Sequence, residues 1–203
     1  AARPPVRARG VILALLLACA GRVAVGDTLV ADVPAPADYD ASARAATREL
    51  RLYEALSTAL LMRVAYLDPA FRRAREDLRA HLFLLSPGER AERLAASLAE
   101  DEAAHVFRLS ADSQWREDLR FGFGDEEPWR LRLFSDGKVC TPESVTPIEP
   151  TPLDARLDPF HTSWSTLHEV RFQTDCGRSS PMILQVTGPR GAGELSWRLD
   201  PSG

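Results

Sequence analysis

The chain has 203 residues, of which 45% are hydrophobic and 27% are charged, and its formal net charge is -4. This composition is that of a globular protein and argues against intrinsic disorder. The acidic balance leaves no broad basic surface, so we expect no nucleic-acid partner.

The first 20 residues are typical of an export signal. Three arginines precede an apolar run at 11–18, and this run is about half the length that spans a bilayer as a helix. We therefore predict a signal peptide over residues 1–20. The protein is expected to be exported, to the periplasm, the outer membrane or the extracellular medium.

Cys19 stands where the apolar run ends, and two interpretations of it are open. Residues 16–19 resemble a bacterial lipobox, in which the cysteine becomes an acylated N-terminus that anchors the protein in a membrane. Residues 18–20 also fit an ordinary small-x-small cleavage site, which would remove Cys19 and release the protein. We expect lipidation of Cys19, because cysteine is uncommon at the end of such a run.

Residues 21–39 contain two prolines among small and polar residues and predict a flexible tether. Residues 40–104 then carry apolar side chains at helical spacing, which predicts a segment of three helices. The first helix is expected from Asp40 to Leu67. The prediction for residues 1–104 is thus a signal, a tether and a helical segment.

Two local signals mark the starts of the second and third predicted helices. Asp68 is suited to be the N-cap of a helix whose first residue is Pro69. Ser86 and Glu89 have the spacing of a capping box, which starts the third helix and leads it to about Ala104.

After His105 the apolar period changes from near 3.6 to 2, which predicts strands. We expect a hairpin of 119–123 and 129–133, further strands at 106–109, 168–174, 182–187 and 195–199, and a turn at 188–193. Five prolines between 142 and 159 predict an extended crossover that cannot be a central strand. The predicted fold class is α+β, with the N-terminal three-helix segment followed by an antiparallel β-sandwich over residues 105–203.

Two cysteines remain after the signal, and an exported protein is expected to pair them. Cys140 and Cys176 are an even number in an oxidising compartment, so we predict a disulfide between them. Closing the loop between them would stabilise the fold by roughly 3–4 kcal/mol. Redox and metal-thiolate roles are less favoured, because neither cysteine belongs to a C-x-x-C motif.

The chain carries no recognisable catalytic motif. It has no G-x-S-x-G serine, no phosphate-binding glycine loop and no histidine pair with metal-ligand spacing, so no catalytic residue, cofactor or metal is predicted. The alternative hypothesis is an exported enzyme or a carbohydrate-processing accessory. Its site would be built from loops near His161 and His168, with Asp154 and Asp158 as acidic groups.

Outward positions of the predicted strands are rich in arginine, and the loop before the 168–174 strand carries a tryptophan that would suit a binding site if it is exposed. We predict a ligand face from the side chains of Arg120, Arg130, Arg132, Arg171, Arg198 and Trp164. Guanidinium groups could bind anionic polymers or carboxylates there, but a solvated, salt-bridged face is the favoured interpretation, because antiparallel sheets normally have one. The expected function is a non-enzymatic binding or structural module of the cell envelope, with an envelope protein or a glycan as its partner.

Overall fold

The structure is a computed structural model that describes residue 36, residues 38–122 and residues 126–199. The predicted signal peptide, Cys19 and nearly all of the predicted tether lie outside the described residues. Within residues 38–122 and 126–199, no helix combines the length and the apolar character needed to cross a membrane.

The described chain is α+β, as predicted, and its strands form two five-stranded sheets. Sheet A has the strand order β1-β2-β3-β8-β7; sheet B has the order β10-β9-β5-β4, and β6 pairs with β5. All strand pairs are antiparallel except β4 with β5. The elements are α1 (Tyr39–Ala46), β1 (Thr47–Glu54), β2 (Ser57–Tyr66), α2 (Pro69–Phe83), α3 (Pro87–Ala103), β3 (Ala104–Asp112), β4 (Phe121–Gly122), β5 (Trp129–Ser135), β6 (Lys138–Cys140), β7 (Ser144–Ile148), α4 (Pro152–Leu157), β8 (Thr166–Gln173), β9 (Met182–Gly188) and β10 (Gly191–Trp197).

Side chains of both sheets meet in one apolar core. Val64 and Phe107 of sheet A and Leu133, Leu184 and Trp197 of sheet B are all buried in this cluster. The rings of Phe107 and Trp197 lie 5.3 Å apart with an edge-to-face orientation. Burial of these large side chains is the main favourable contribution to the fold.

Helices cover the other face of sheet A. Tyr39 of α1, Phe71 and Leu78 of α2 and Leu157 of α4 form a second buried cluster with Ala65 and Val106 of the sheet. Sheet A is therefore buried on both faces. On sheet B, the outward residues of β5 and β9 remain half-buried or exposed, and no described helix packs on them.

The predicted starts of α2 and α3 are confirmed. The Asp68 carboxylate accepts a hydrogen bond from the backbone N–H of Phe71 at 2.7 Å, with Pro69 at the first position of the helix. Ser86 and Glu89 make both hydrogen bonds of the capping box. These caps satisfy N–H groups that have no partner within the helix.

The predicted first helix, and with it the three-helix segment, is wrong. Residues 39–46 are helical, but the chain then forms the antiparallel hairpin of β1 and β2. The predicted boundary at residue 104 also fails to divide the fold, because β2 pairs with β3 across it, with Tyr66 opposite Phe107. Helical spacing misled the prediction because β2 is apolar on both of its faces.

Five of the strands after residue 104 were predicted correctly, and the pairing of the shortest strand, β4, was predicted wrongly. Strands β3, β8, β9 and β10 lie close to the predicted ranges, although β10 starts earlier and its turn is only Pro189–Arg190. The strand predicted at 129–133 is present as β5, but its predicted hairpin with 119–123 is wrong, since β4 pairs parallel with β5 and places Phe121 opposite Trp129. The proline-rich crossover contains β7 at the edge of sheet A and the short helix α4.

The predicted disulfide is confirmed. Cys140 and Cys176 are bonded, with their Cα atoms 6.0 Å apart. Cys140 ends β6 of sheet B, and Cys176 lies in the short 3-10 turn that follows β8 of sheet A. The bond therefore fastens one sheet to the other, and the Cys176 side chain is part of the shared core.

Candidate ligand-binding face

Of the five predicted arginines, two lie on a strand of sheet B and two directly flank its strands. Arg130 and Arg132 lie on β5 between the buried residues of that strand, so their side chains point away from the core. Arg198 is exposed directly after β10, and Arg120 is exposed directly before β4. We call the outward side of β5, β9 and β10, together with Arg198, the arginine face.

Strand register fixes the neighbours on the arginine face. Arg132 lies opposite Gln185, which lies opposite Glu194, so these three side chains form one row across the sheet. The next row is largely apolar, because Phe134 lies opposite Ile183 on one side and Val139 of β6 on the other. The Val139 side chain is 57% exposed.

Arg171 does not belong to this face, so the five arginines do not form a single surface. It lies on the helix-covered side of sheet A, where its guanidinium bonds Glu100 of α3 and Glu169 of β8. Burial alone would raise the pKa of Glu100, but hydrogen bonds from Arg171 and Arg72 hold it below its ordinary value. Arg171 therefore joins a helix to the sheet.

Trp164 is 71% exposed on the loop that enters β8 of sheet A. Its backbone carbonyl accepts a hydrogen bond from Arg116 at 2.7 Å, which holds the loop and leaves the indole in solvent. Trp164 is thus attached to sheet A, whereas Arg130 and Arg132 lie on sheet B.

The two histidines of the alternative site lie on opposite sides of sheet A. His168 faces the shared core, packs edge-on against Phe121 and bonds Thr166, and burial lowers its pKa to about 4. His161 precedes β8 on the helix side, where its Nδ1 lies 2.9 Å from the Ser165 hydroxyl. Burial lowers its pKa as well. A site that uses both histidines is not assembled.

Asp158 is fully buried and is committed to two arginines. Arg75 of α2 bonds one carboxylate oxygen, and Arg108 of β3 bonds the other at 2.8 Å. Arg108 also bonds Asp154 at 2.9 Å. Among the residues that the structure describes, no three histidine, cysteine or acidic side chains are grouped to hold a metal ion. The sequence patterns did not reveal this network, although Arg75, beside the apolar stripe of α2, was a signal for it.

The Ser165 hydroxyl contacts a histidine, but its surroundings are those of a turn. It accepts a hydrogen bond from Ser110 at 2.8 Å and one from the Thr162 N–H at 3.0 Å, and it lies 2.9 Å from the Thr162 carbonyl. These bonds close the loop before β8. They leave little freedom for Ser165 to act as a nucleophile, which needs its oxygen open to a substrate.

Hollows open on the described surface at the arginine face and on the helix side of sheet A. One, of about 480 Å³, lies at the end of the arginine face and is lined by Glu127, Pro128, Arg130, Thr187, Gly188 and Pro189. The other, of about 440 Å³, lies beside α1 and includes Arg44, Arg63 and Phe160 in its lining. Only the first adjoins the arginine face.

A scan against protein-family models, a search of curated proteins and a search of solved structures each found no match for this chain.

Proposed function

We propose that this chain is an exported, non-enzymatic binding module of the cell envelope, anchored through an acylated Cys19. The single observation that carries the proposal is the Cys140–Cys176 disulfide, which joins the two sheets. Structural disulfides persist in oxidising compartments and are rare in the cytosol. The basic and apolar pattern of residues 1–20 supports the same assignment.

A binding role is supported by how the chemical groups are distributed. Asp154 and Asp158 are paired with arginines, and His161 and His168 lie on different sides of sheet A. The arginine face, in contrast, presents cationic side chains that no described helix covers. We further infer that the two sheets form a β-sandwich, in which sheet A carries the helices and sheet B carries the ligand.

The proposal can be tested by expressing the full chain in a bacterium with an outer membrane, alongside the variant Cys19→Ala. We expect the wild type in the membrane fraction, with a mature mass that starts at Cys19 and includes acyl chains. The variant should be absent from the detergent phase, because it cannot be acylated. A non-reducing digest of both proteins should yield the 140–176 disulfide peptide.

A full-length polypeptide in the cytoplasm with both thiols free would overturn the proposal. A mature mass that begins at Ala20 or Gly21, without acyl chains, would retain export and remove the anchor.

A further inference from the structure

One end of the fold is built from four connecting segments that belong to both sheets. Residues 53–57 are the tip of the β1–β2 hairpin, residues 113–118 follow β3, residues 162–165 precede β8, and residues 189–190 form the β9–β10 turn. The strand register brings the end of β3 beside the start of β8, because Ala111 lies opposite Thr166. We call these four segments the loop end.

Arg190 holds the loop end together. Its guanidinium bonds Glu54 of the hairpin at 2.7 Å and Asp118 at 3.1 Å, and it lies 3.5 Å from the centre of the Trp115 ring. Three of the four segments are therefore fixed to one another before any partner arrives. Such pre-organisation lowers the entropic cost of binding.

The loop end exposes large apolar side chains. Leu56 is fully exposed at the hairpin tip, Trp164 is 71% exposed, and Tyr53 is 62% exposed. The hydroxyl of Tyr53 interacts with Arg51, whereas its ring lies at the surface. Among the residues that the structure describes, six large apolar side chains are exposed, and three of them share this end.

The hairpin turn is made of residues that its geometry does not favour. Ala55 and Leu56 connect Glu54 to Ser57, which are paired across the hairpin. Ala55 has a φ of 53°, a conformation that suits glycine or asparagine, and two-residue turns of hairpins usually carry such residues. The packing of the described fold does not explain Leu56, because its side chain is fully exposed. Leu56 is thus available to an apolar medium outside the chain.

The arrangement of these side chains favours a lipid surface over a folded protein. Trp164 lies on a different segment from Tyr53 and Leu56, and none of the three lines the hollow beside the arginine face or the hollow beside α1. A folded partner needs a matching surface, whereas fluid lipid surrounds separate side chains at any spacing. Leucine is favoured within the hydrocarbon layer, and tryptophan and tyrosine are favoured at its boundary with water.

Charge specifies the kind of lipid. The loop end carries three acidic and two basic side chains, namely Glu54, Glu117, Asp118, Arg116 and Arg190. Anionic headgroups are attracted by clusters of lysine and arginine, which this end does not offer. A nearly neutral end is therefore suited to zwitterionic lipid.

The proposed anchor brings the loop end within reach of a bilayer. Residues 20–38 separate Cys19 from α1, and even a fully extended chain of this length spans at most about 70 Å. Strand β1 leads from α1 to the loop end over about 26 Å.

We propose that the loop end docks on a zwitterionic bilayer, with Leu56 in the hydrocarbon layer and Trp164 and Tyr53 at its boundary. This inference rests on the proposed function for its setting, because the acylated Cys19 would keep the folded body close to the membrane. The anchor would hold the chain, and the loop end would fix its orientation.

The inference is tested with the full chain and vesicles of phosphatidylcholine, part of which carries bromine on its acyl chains. Acylated protein is reconstituted into the vesicles, and unacylated protein is mixed with them. Bromine quenches an indole at the boundary of the hydrocarbon layer, so we expect quenching in the wild type. The quenching should be lost in Trp164→Phe, since Trp129 and Trp197 are buried and Trp115 is covered by Arg190.

A matched pair of variants tests the hairpin tip. Leu56→Ser should lower the ratio of docked to undocked protein at least about tenfold, because the leucine loses its apolar surroundings. Val139→Ser should stay within about twofold of the wild type. Val139 is also exposed, but it lies on β6, which pairs with the end of β5 that is far from the β9–β10 turn. Both variants should unfold at the urea concentration of the wild type, since they alter exposed side chains.

Lipid composition and salt test the role of charge. Replacing part of the phosphatidylcholine by phosphatidylglycerol, or raising the salt concentration, should each change the docked ratio by less than about twofold.

Four results would overturn the inference. They are no quenching in the wild type, equal losses in Leu56→Ser and Val139→Ser, docking that requires anionic lipid, and a dimer in light scattering that Leu56→Ser dissociates. The third would assign the contact to charged side chains, and the fourth would assign the loop end to a second copy.

The mature mass measures acylation separately. An acylated chain without quenching would keep the proposed function and remove this inference. An unacylated chain whose Trp164 is quenched by added vesicles would do the reverse.

Discussion

Burial controls the protonation of three histidines. It lowers the pKa of His105, His161 and His168 below the ordinary value, and the neighbouring Arg178 adds to the effect at His105. His168 shows the cause most simply, because its side chain is only 7% exposed and its pKa of about 4 has burial as its one cause. Each of these residues is neutral in the folded protein at neutral pH, since burial penalises the charged form.

Acid should therefore destabilise the fold through His168. The unfolded residue takes up a proton near pH 6.5, whereas the folded residue does so only near pH 4. The unfolded state then binds more protons, and the free energy of unfolding falls by about 3 kcal/mol as pH drops from 6.5 to 4. Urea titrations at several pH values should show this slope, and His168→Gln should reduce it.

The exposed His81 provides the control for that experiment. The variant His81→Gln should keep the full acid slope. An unchanged slope in His168→Gln would contradict the assignment of the slope to His168.

At the scale of elements, caps were predictable and strand burial was not. Asp68 and Ser86 indicate where their helices begin, because capping depends on a few adjacent residues. Residues 59–65 read Ala-Leu-Leu-Met-Arg-Val-Ala, and this run belongs to β2, which packs on sheet B with one face and on helices with the other. A strand buried on both sides loses the alternation that distinguishes it from a helix.

For the candidate site, the direction of side chains along a strand was predictable and the elements that cover them were not. Alternation along β5 correctly predicted that Arg130 and Arg132 point outward. It could not predict that Arg171 lies under α3, because the strand pattern does not say which sheet the helices cover. The assignment of a ligand to the face stays a prediction.

Asp158 links α2 to sheet A, because its carboxylate bonds Arg75 of α2 and Arg108 of β3. Asp158→Asn would leave the buried Arg75 and Arg108 without their shared carboxylate, so we expect the free energy of unfolding to fall by about 3–5 kcal/mol. The matched control is Asp77→Asn, which breaks an exposed pair with Arg90 and should cost about 1 kcal/mol or less. Urea denaturation followed by circular dichroism measures both, and equal losses would contradict the buried network.

Over the whole molecule, early and late parts of the chain meet. Trp197 of β10 donates its indole N–H to the carbonyl of Ala46 at 2.6 Å, and Arg48 donates to the carbonyl of Ser196 at 2.8 Å. These contacts place β1 beside β10, at the edge where the two sheets adjoin. The apolar core between the sheets is closed on this side by Trp197.

Replacing Trp197 by phenylalanine should test this closure. The Ala46 carbonyl would lose its donor and the smaller ring would leave a cavity, so we expect a loss of about 2–4 kcal/mol in the free energy of unfolding. Trp164→Phe alters an exposed indole and should change stability by less than about 0.5 kcal/mol. Thermal and urea denaturation measure the stability of both variants. A small loss of stability in Trp197→Phe would contradict the closure of the apolar core by Trp197.

The bond from Trp197 to Ala46 spans 151 positions of the chain, which bears on how the molecule is made. Topologies dominated by such distant pairings fold slowly, over milliseconds to seconds. A ribosome must finish residue 197 before β1, already paired with β2, can contact β10, so this side of the apolar core closes only late in synthesis. Under the proposed export, a polypeptide whose core is still open is the form that a secretion channel would thread.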